Sequence, residues 1–311
     1  MRGEATAVQI AAMLAGLRVR GETAEIVAGV VRALREVMLK LDASKPDELV
    51  DTCGTGGGTV TTFNISTAAA LLAAGAGVRV AKHGNRSFTS RCGSADVLEA
   101  LGVRIDAPLE VMRNALENAG IVFMYAPMMH PAMKHVGPIR RELGIPTVMN
   151  IVGPLANPAG AARQVVGVAD DYRVPILAGA LAELGSIHAM VVHGEPGLDE
   201  ISPLGPTRIV EIRNGVTSEW RLDPADFGLE KGNAEQLAGG GPEDNARIIT
   251  ETLSGGGTEA GRAAVVLNAA AAIYLSGKVD SYKDAVEAAK SALTNREGIN
   301  ALDKLRKAYA S

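Results

Sequence analysis

The sequence predicts an α/β protein with a small all-helical domain and a larger domain in which helices surround a central, mostly parallel sheet. Three observations predict this fold. Hydrophobic residues make up 47% of the chain and aromatic residues 3%, so the core must consist of Ala, Val, Leu and Ile, which suit helices packed closely on a sheet. Strands and helices alternate from residue 49 onward, a pattern typical of parallel sheets. Helical segments precede residue 45 and also follow residue 130, where they interrupt that alternation.

The composition of the chain restricts the class of protein. Its 311 residues can bury a sizeable core, and a net charge of −4 with 21% charged residues gives no general attraction to nucleic acid. Cys53 and Cys92 each lie in a glycine-rich motif, which favours a reducing compartment over a disulfide framework. No run approaches the roughly 18 apolar residues that span a bilayer, and Met1–Gly16 does not resemble a signal peptide. We therefore expect a soluble, cytoplasmic protein that binds neither nucleic acid nor a membrane.

The first predicted elements are two helices and a strand. Apolar residues recur at spacings of three and four over Gln9–Leu17 and Glu22–Leu41, and Gly21 separates the two helices. The pair Lys45-Pro46 ends the helical block, because the residue before a proline is pushed out of the α region. Leu49-Val50 then predicts a short buried strand that leads into a glycine-rich loop.

The next segment, up to Tyr125, repeats the order strand, loop, helix. Glycines follow two of its helices, and serine, threonine or proline stands at the helix starts. Ser66 or Thr67 is the predicted N-cap of the first helix, and Ser94 is that of the second. The predicted strands are Val78–Ala81, Val103–Ile105 and Ile121–Tyr125, and the predicted helices are Ser66–Ala74, Ala95–Leu101 and Pro108–Asn118.

The remaining chain adds a helical insert, further strands and three long helices. His130–Leu143 predicts more helix, and Asn150–Pro158 predicts a loop. Asn214-Gly215 is typical of the turn in a β-hairpin. The predicted strands are Val165–Val168, Ala189–Val192, Arg208–Arg213 and Val216–Leu222, and the predicted helices are Asp244–Leu253, Arg262–Leu275 and Ser281–Leu293, the last with Ser281 as N-cap. We assign residues 1–45 and 131–162 to the small helical domain, and 46–130 and 163–311 to the large domain.

The segment Gly54–Thr59, with the sequence GTGGGT, is the first candidate binding site. Consecutive glycines cost backbone entropy on ordering, but they allow a ligand to approach closely and offer N–H groups to an anion. The loop leads from a strand to a helix, whose dipole would add to such a site. It is neither a Walker loop nor a dinucleotide fingerprint, because no Gly-Lys-Ser/Thr follows and the sixth position is Thr59. A flexible turn is the alternative, although residues 62–67 carry more hydroxyl and amide groups than one helix cap needs.

Polar residues also follow two other predicted strands. Lys82–Ser87 comes directly off a strand end, where open α/β sheets bind ligands, and its charged and polar side chains can surround a phosphate. Asp199 and Glu200 follow the strand Ala189–Val192 and are candidate magnesium ligands. A solvated loop and a solvated carboxylate pair are the respective alternatives. The histidines and cysteines show no zinc-site spacing, and no Ser-His-Asp nucleophile motif is present.

Taken together, these segments closely resemble the anthranilate phosphoribosyltransferase family. The resemblance runs from about Gln9 to the end of the chain and includes GTGGGTVTTFNIST, KHGNRSFTSRCGSADVLEALGV, IRRELGIPTVMNIVGPLANPA and HGEPGLDEIS. It implies a homodimer formed through the helical domain, with the active site in the cleft between the two domains. The implied reaction is transfer of the phosphoribosyl group from phosphoribosyl pyrophosphate to the amine of anthranilate, with Mg2+, in tryptophan biosynthesis.

The resemblance also assigns residues to the metal and to both substrates. Mg2+ would be held by Ser66, Asp199 and Glu200. Anthranilate would be faced by Gly54, His83, Asn85 and Arg140, the last through a charge-assisted hydrogen bond to its carboxylate. Phosphoribosyl pyrophosphate would be bound by Gly54, Gly57, Gly58, Thr62, Asn64, Ile65, Ser66, Thr67, Lys82, His83, Gly84, Asn85, Arg86, Ser87, Ser90 and Ser94. No acid or base is assigned, because an aromatic amine is already unprotonated and the protein mainly stabilises the leaving group and positions that amine.

The chain departs from the family pattern in two places, and two other functions are open. Gly58 stands where the family has Asp, which should alter metal handling and substrate affinity. The family carries more helical sequence before the segment that begins here near Ala5, so a late start or a trimmed helical domain would affect dimerisation. A pyrimidine nucleoside phosphorylase-like enzyme would need neither Arg140 nor the Asp-Glu pair. A non-catalytic nucleic-acid-binding relative should have a basic surface, unlike this acidic chain.

Overall fold

The computed structural model describes residues 3–87, 91–229 and 231–310, and within them seven strands form one sheet. The strands are β1 (Val50–Gly54), β2 (Val80–Gly84), β3 (Ile121–Tyr125), β4 (Arg163–Gly167), β5 (His188–Gly194), β6 (Thr207–Arg213) and β7 (Val216–Leu222). Their order across the sheet is β3-β2-β1-β4-β5-β6-β7. The first five strands pair in parallel, and β6 and β7 continue the sheet antiparallel. The mostly parallel sheet expected from the alternation of elements is confirmed.

Twelve α-helices accompany the sheet within the described part of the chain. They are α1 (Ala7–Arg20), α2 (Ala24–Val37), α3 (Ile65–Gly75), α4 (Ser94–Ala100), α5 (Leu109–Ala119), α6 (Ala126–Met129), α7 (Met133–Leu143), α8 (Val174–Glu183), α9 (Pro242–Leu253), α10 (Glu259–Ser276), α11 (Tyr282–Thr294) and α12 (Glu297–Ala310). Among the described residues, no helix combines the length and the apolar character needed to cross a membrane.

The strand order creates a crevice between β1 and β4. From β1 the chain builds outward through β2 to β3, and it then returns to the opposite side of β1 as β4. In open α/β sheets, ligands bind at such a switch point, outside the carboxyl ends of the strands. Gly54 and Gly167, the last residues of these two strands, are paired in register at that edge. The fold therefore places the predicted glycine-rich loop where ligand binding is expected.

Small side chains allow helices to approach one another closely in the larger of the two cores. Most residues of α3 and α10 are buried, and alanine is the commonest among them. A Cβ on Gly75, at the end of α3, would lie 2.4 Å from the carbonyl carbon of Glu297 at the start of α12. Only glycine permits that approach. The predicted core of Ala, Val, Leu and Ile is confirmed by the composition of this cluster.

A second core joins the N-terminal helices to the sheet. It includes Val27 of α2, Leu155 of the helical insert, Leu177 of α8 and Val191 of β5. The contact between α2 and α8 is close, because a Cβ on Gly179 would lie 2.8 Å from the Cβ of Ala24. The segments assigned to the helical domain thus share a core with the large domain, and their treatment as a separate domain stays a prediction.

Some elements differ from those predicted. Val103–Ile105 forms no strand in the described structure. Val103 and Ile105 are instead buried in a connection after α4, which explains why the segment has the apolar pattern of a strand. Three α-helices form where none is predicted, α6, α8 and α12. Helix α8 has little apolar periodicity because α2 and the sheet both bury parts of its surface. Its apolar residues therefore reflect burial on more than one side, which hides the helical repeat.

The N-caps of α3 and α4 were predicted incorrectly. The N-cap residues are Asn64 and Gly93. The predicted caps Ser66, Thr67 and Ser94 lie inside the helices. At α4 the carboxylate of Asp96, at the third helical position, accepts a hydrogen bond of 2.8 Å from the N–H of the N-cap residue Gly93, as the acidic residue of a capping box does.

Strands β1 and β2 extend further than predicted, whereas the β-hairpin and one cap agree. Gly54 ends β1, and Lys82–Gly84 belongs to β2 and not to the loop after it. Asn214 and Gly215 have φ values of 50° and 79°, as a two-residue hairpin turn requires. Ser281 caps α11 through its hydroxyl, as predicted.

Candidate active site

Glycines end the strands at the carboxyl edge of the sheet and make room for the segment that carries Asp199 and Glu200. A Cβ on Gly167 would lie 1.7 Å from the Asp199 carbonyl oxygen, and one on Gly54 would lie 2.3 Å from Asp199 Oδ2. A Cβ on Gly194 would lie 2.5 Å from the Glu200 carbonyl oxygen. The acidic segment therefore lies directly over the ends of β1, β4 and β5, and the predicted Asp-Glu pair adjoins the glycine-rich loop.

The glycine-rich loop is hydrogen-bonded to this acidic segment. Gly56 and Gly57 have φ values of 72° and 83°, which L side chains rarely adopt. The Gly56 N–H donates a hydrogen bond of 2.7 Å to Asp199 Oδ2. The Thr59 N–H donates a hydrogen bond of 3.1 Å to the Gly197 carbonyl oxygen, and the Thr59 hydroxyl donates to the carbonyl oxygen of the preceding residue, Pro196. The two predicted motifs thus form one structural unit.

Gly58, where the resemblance implies an Asp, also faces the acidic segment. A Cβ at this position would lie 3.0 Å from the Gly197 carbonyl oxygen and 3.6 Å from Asp199 Oδ1. An aspartate here would bring a third carboxylate close to Asp199 and Glu200. The expectation that Gly58 changes metal handling stays a prediction, now with a geometric reason.

The start of α3 brings a serine, a lysine and a glutamate together. Glu200 Oε1 accepts a hydrogen bond of 3.0 Å from the Ser66 N–H. The Lys82 ammonium, which is buried, donates to Ser66 Oγ over 3.2 Å and also to the Thr52 carbonyl oxygen. Three residues predicted to bind the donor substrate or the metal, from three separate segments of the chain, therefore meet at one helix N-terminus.

Burial shifts the pKa of each charged group in this cluster. Burial, and then the negative charge of Asp199, raise the pKa of Glu200 to about 8, although Lys82 opposes the shift. Burial also raises the pKa of Asp199. The pKa of Lys82 is lowered by burial, while neighbouring carboxylates oppose that change. The raised pKa values show that burial makes it costly to keep both carboxylates ionised, and a bound cation would offset that cost.

The donor set suits Mg2+. Ser66 Oγ and the carboxylates of Asp199 and Glu200 are hard oxygen ligands, and Mg2+ is commonly held by one or two carboxylates together with substrate phosphates and water. Among the described residues, no group of three or more His, Cys, Asp or Glu side chains could hold a metal alone. The site therefore fits a metal ion that takes some ligands from the protein and the others from a phosphorylated substrate and water.

A buried carboxylate below the site, Asp51, was not predicted. Its Oδ1 accepts a hydrogen bond of 3.2 Å from the His83 N–H, and its Oδ2 accepts one of 2.7 Å from Asn157 Nδ2. Asn157 Nδ2 also donates to the Ala81 carbonyl oxygen over 2.8 Å, so the amide holds the start of β2. Burial raises the pKa of Asp51 to about 6, although Lys82 opposes it. An acidic residue inside a buried strand, directly before GTGGG, was the signal that could have identified it.

Two buried histidines lie side by side. The ring centroids of His83 and His130 are 5.0 Å apart. Burial, and then His130, lower the pKa of His83 to about 3, and burial lowers the pKa of His130. Within the described structure, Nε2 of each ring has no hydrogen-bond partner. Both imidazoles are therefore neutral at physiological pH, and each keeps one buried ring nitrogen without a partner among the described residues. His130 was not predicted as a site residue.

Asn64, predicted to bind the donor, is held in place by the loop after β2 and by α9. Its amide nitrogen donates to the Cys92 carbonyl oxygen over 3.1 Å, and its Oδ1 accepts a hydrogen bond of 2.9 Å from Asn245 Nδ2. Asn245 Oδ1 in turn accepts from the Gly240 N–H over 2.7 Å. The C-terminal half of the chain thus supports a residue of the glycine-rich motif.

The loop after β2 folds back on the start of α4. The Ser94 hydroxyl donates to the Asn85 carbonyl oxygen over 3.3 Å, and a Cβ on Gly84 would lie 2.2 Å from Ser94 Oγ. Asp96 Oδ2 accepts hydrogen bonds from the N–H groups of Ser87 and Gly93. The predicted site residues Gly84, Asn85, Ser87 and Ser94 are therefore close together.

Arg86 is engaged by acidic side chains of α4. Its guanidinium lies 2.7 Å from Asp96 Oδ1 and 2.6 Å from Glu99 Oε2, and 5.8 Å from the centroid of the Tyr125 ring. These hydrogen bonds raise the pKa of Arg86 still further. The predicted contact between Arg86 and a phosphate would have to compete with two carboxylates.

Arg140 lies on α7, in the helical insert. Its side chain is partly buried, and burial lowers its pKa. No carboxylate lies within ion-pair distance of it in the described structure, which includes fifteen other ion pairs. No hydrogen bond between described residues connects its side chain to the loops at the sheet edge. A partly buried arginine without an acidic partner is a candidate for binding a carboxylate ligand.

Four further predicted residues remain. Ile65 and Thr67 are each 1% exposed, and Ile65 belongs to the hydrophobic core, so only its backbone is available to a ligand. Thr67 Oγ1 has no hydrogen-bond partner among the described residues. Thr62 is partly buried beside Gly239. A Cβ added to Gly239 would lie 2.7 Å from the Thr62 carbonyl oxygen. Ser90 lies outside the described residues.

Comparison with known proteins agrees with this arrangement. Residues 46–298 match a family model described as "Glycosyl transferase family, a/b domain", and residues 1–38 match one described as "Glycosyl transferase family, helical bundle domain". The chain is 48% identical over 304 residues to the anthranilate phosphoribosyltransferase of Rubrobacter xylanophilus, covering 98% of this chain and 88% of that protein. It is 49% identical over 311 residues to that of Anaeromyxobacter dehalogenans, covering 99% and 90%.

Solved structures of the same enzyme superimpose closely. Anthranilate phosphoribosyltransferase from Thermus thermophilus has a TM-score of 0.93 and 42% identity, with 99% of this chain and 92% of that chain covered. The Saccharomyces cerevisiae enzyme in complex with phosphoribosyl pyrophosphate and Mg has a TM-score of 0.88 and 30% identity, with 98% and 85% covered. The small helical and larger α/β parts predicted from the sequence are confirmed. The chain belongs to the anthranilate phosphoribosyltransferase family.

Proposed function

We propose that the protein transfers the phosphoribosyl group from phosphoribosyl pyrophosphate to the amine of anthranilate, giving N-(5-phosphoribosyl)anthranilate and pyrophosphate, in tryptophan biosynthesis. The observation that carries this proposal is the meeting of the glycine-rich loop, Ser66, Lys82 and the Asp199–Glu200 segment at the switch point of the sheet. Backbone N–H groups, a helix N-terminus, an ammonium and two carboxylates are what a metal-bound pyrophosphate requires. The family to which the chain belongs supplies the choice of acceptor.

The donor site is built around the pyrophosphate leaving group. The glycine-rich loop lies beside the first turn of α3, whose helix dipole favours an anion, and Lys82 supplies a fixed positive charge. Asn64 and the residues 82–87 extend this surface toward the sugar. Because these donors are held by hydrogen bonds before substrate arrives, they need not reorganise as negative charge develops on pyrophosphate.

Ser66, Asp199 and Glu200 would hold Mg2+. When bound, the ion would neutralise charge on the departing pyrophosphate. The chain's own contribution is to keep both carboxylates beside Ser66, through the Gly56 and Ser66 N–H groups. The relative from Saccharomyces cerevisiae in complex with phosphoribosyl pyrophosphate and Mg supports the use of Mg2+.

Anthranilate would be recognised by groups that suit an aromatic acid. Arg140, which has no acidic partner among the described residues, would take the carboxylate. Gly54, Asn85 and the neutral His83 ring would face the rest of the molecule, and His130 lies close enough to His83 to share this task. Positioning the unprotonated amine is sufficient for attack on a sugar that carries positive charge, so we assign no general base.

We further propose that the protein acts as a homodimer in the cytoplasm. Helix α1 exposes Val8, Met13 and Val19 at 78%, 59% and 89% of their surface, and a partner helical domain would bury them. The chain has two cysteines, each inside a glycine-rich motif, which favours a reducing compartment over a disulfide framework.

A fluorescence assay tests the proposed reaction. Protein, Mg2+, phosphoribosyl pyrophosphate and anthranilate are mixed, and the loss of anthranilate fluorescence is followed. We expect a loss that requires both substrates and stops when Mg2+ is chelated. Unchanged anthranilate fluorescence, together with phosphate-dependent cleavage of a pyrimidine nucleoside or with binding to DNA, would refute the proposal.

A further inference from the structure

The segment that carries Asp199 and Glu200 is anchored on both sides. Upstream, the Leu198 N–H donates to the Gly194 carbonyl oxygen over 2.7 Å, and the Gly194 N–H donates to the Leu198 carbonyl oxygen over 3.0 Å. Downstream, both backbone polar groups of Ile201 are bound by one side chain, that of Asn268 in α10. The two carboxylates are thus held between fixed neighbours on either side.

Asn268 uses its whole amide for this contact. Its Oδ1 accepts a hydrogen bond of 2.9 Å from the Ile201 N–H, and its Nδ2 donates over 2.9 Å both to the Ile201 carbonyl oxygen and to the Ala264 carbonyl oxygen. Asn268 is 3% exposed and Ile201 is 0% exposed. Every other residue of the segment 263–273 is apolar. A lone amide in an apolar helix is therefore fully satisfied, and its main partner is the residue that follows Glu200.

The surroundings leave the acidic segment little freedom to compensate for a lost anchor. Without the Asn268 amide, the N–H and carbonyl groups of Ile201 would be buried without partners, which costs free energy until the segment moves toward water. The Asp199 carbonyl already fills the space above Gly167, so movement in that direction is blocked. A shift of Ile201 would therefore displace the neighbouring carboxylates.

We propose that Asn268 is a positioning residue for the metal-binding carboxylates: by fixing Ile201, it holds Asp199 and Glu200 in place for Mg2+. The inference rests on the proposed function, because that function assigns these two carboxylates to Mg2+. Residues that orient metal ligands without touching the metal commonly change metal affinity when replaced. Asn268 lies 67 residues further along the chain than Ile201 and outside the motifs that identify the site.

The test measures ligand binding without turnover. Phosphoribosyl pyrophosphate is titrated calorimetrically into the full chain at a series of Mg2+ concentrations, with no anthranilate present. Asn268→Leu keeps the size of the side chain and removes the hydrogen bonds to Ile201. Tyr282→Phe is the matched control, because it removes a buried hydrogen bond of 2.7 Å to the carbonyl oxygen of Leu267, the residue next to Asn268.

We expect Asn268→Leu to raise the Mg2+ concentration for half-maximal binding by about 10- to 100-fold, whereas Tyr282→Phe leaves it unchanged. Equal values for the two variants, both folded by circular dichroism, would overturn the inference. If Asn268→Leu does not fold, Asn268→Ser, which keeps one hydroxyl at the site, should give a smaller rise in the same direction, and no rise would overturn the inference.

The double variant Asp199→Ala/Glu200→Ala separates the two proposals. If it keeps wild-type Mg2+ dependence, the metal assignment itself fails and this inference fails with it; if it loses that dependence while the Asn268 variants keep it, only the inference fails.

Discussion

At the residue scale, we expect Arg140 to recognise the carboxylate of the acceptor. Its guanidinium is partly buried and has no acidic partner in the described structure, so a substrate carboxylate would provide the missing charge. Arg140→Ala should raise KM for anthranilate by about 10- to 100-fold, since a hydrogen bond between charged groups contributes about 1.5–3 kcal/mol. The KM for phosphoribosyl pyrophosphate should change little.

The neighbouring arginine provides the control for this prediction. Arg141 follows on the same helix and is exposed. Arg141→Ala therefore removes the same charge from the protein without removing the expected contact. Steady-state kinetics with each substrate varied in turn measures both variants. A similar rise in KM for both substrates in Arg140→Ala, or the same effect in Arg141→Ala, would contradict the assignment.

The buried carboxylate Asp51 predicts a specific dependence of stability on pH. Its pKa is raised to about 6 in the folded chain from an ordinary value of 3.8. Between these values the folded protein retains a proton that the unfolded chain has lost. Protonation therefore stabilises the fold below pH 3.8, and this contribution is lost as pH rises through about 6.

The variant Asp51→Asn, which cannot titrate, isolates this contribution. The difference in free energy of unfolding between wild type and variant should fall by about 2 kcal/mol from pH 4 to pH 7, because each pKa unit corresponds to about 1.36 kcal/mol and pH 4 already lies above the unfolded pKa. Urea unfolding at several pH values, followed by circular dichroism, measures the difference. A difference that stays constant or grows with pH would contradict the raised pKa of Asp51.

At the scale of secondary-structure elements, the contact between β4 and the acidic segment depends on Gly167. A Cβ there would lie 1.7 Å from the Asp199 carbonyl oxygen, which is backbone and cannot rotate away. Gly167→Ala should therefore destabilise the protein by about 3 kcal/mol or more and displace the carboxylates. The melting temperature in thermal unfolding should fall, and activation by Mg2+ should weaken.

A second glycine provides the matched comparison. Gly29 lies in α2, and a Cβ there would meet no atom within 4 Å. Gly29→Ala should stabilise the protein by about 0.5–1 kcal/mol, because glycine loses more backbone entropy than alanine in a helix. If Gly167→Ala left the free energy of unfolding as little changed as Gly29→Ala does, the close contact between Gly167 and Asp199 would be refuted.

The elements also show how far the sequence predicts this protein. The alternation of strands and helices predicted the parallel sheet, since turn residues and apolar runs are local properties. Helix α8 was not predicted, because burial on more than one side removes its polar face. Val103–Ile105 resembled a strand because core packing and strand pairing both produce apolar residues.

The site shows the same division between local and long-range information. The glycine-rich loop, Lys82–Ser87 and Asp199-Glu200 were found because each concentrates unusual residues within a few positions. Asp51, Asn157 and Asn268 were not found. Each is a single polar residue whose partners are distant in the sequence, so only the folded chain shows what it holds in place.

At the scale of the whole molecule, the exposed apolar residues of α1 predict an assembly. A homodimer through the helical domain would cover Met13 and Val19. The double variant Met13→Glu/Val19→Glu should lower the mass measured by sedimentation velocity to that of a monomer, because buried carboxylates without partners disfavour the interface. Val216→Glu alters an equally exposed apolar residue of β7 and should leave the mass unchanged. An unchanged mass in both variants would place any interface elsewhere.

The central claim is that the loops at the switch point of the sheet form one site for phosphoribosyl pyrophosphate and Mg2+. A crystal structure of the protein with both ligands tests it most directly. The account predicts pyrophosphate against the glycine-rich loop and the start of α3, with Mg2+ bound by oxygens of the Ser66, Asp199 and Glu200 set. Density for the sugar phosphate elsewhere, for example in the 420 Å³ cleft beside Arg262 and Lys290, with the switch point left empty, would contradict it.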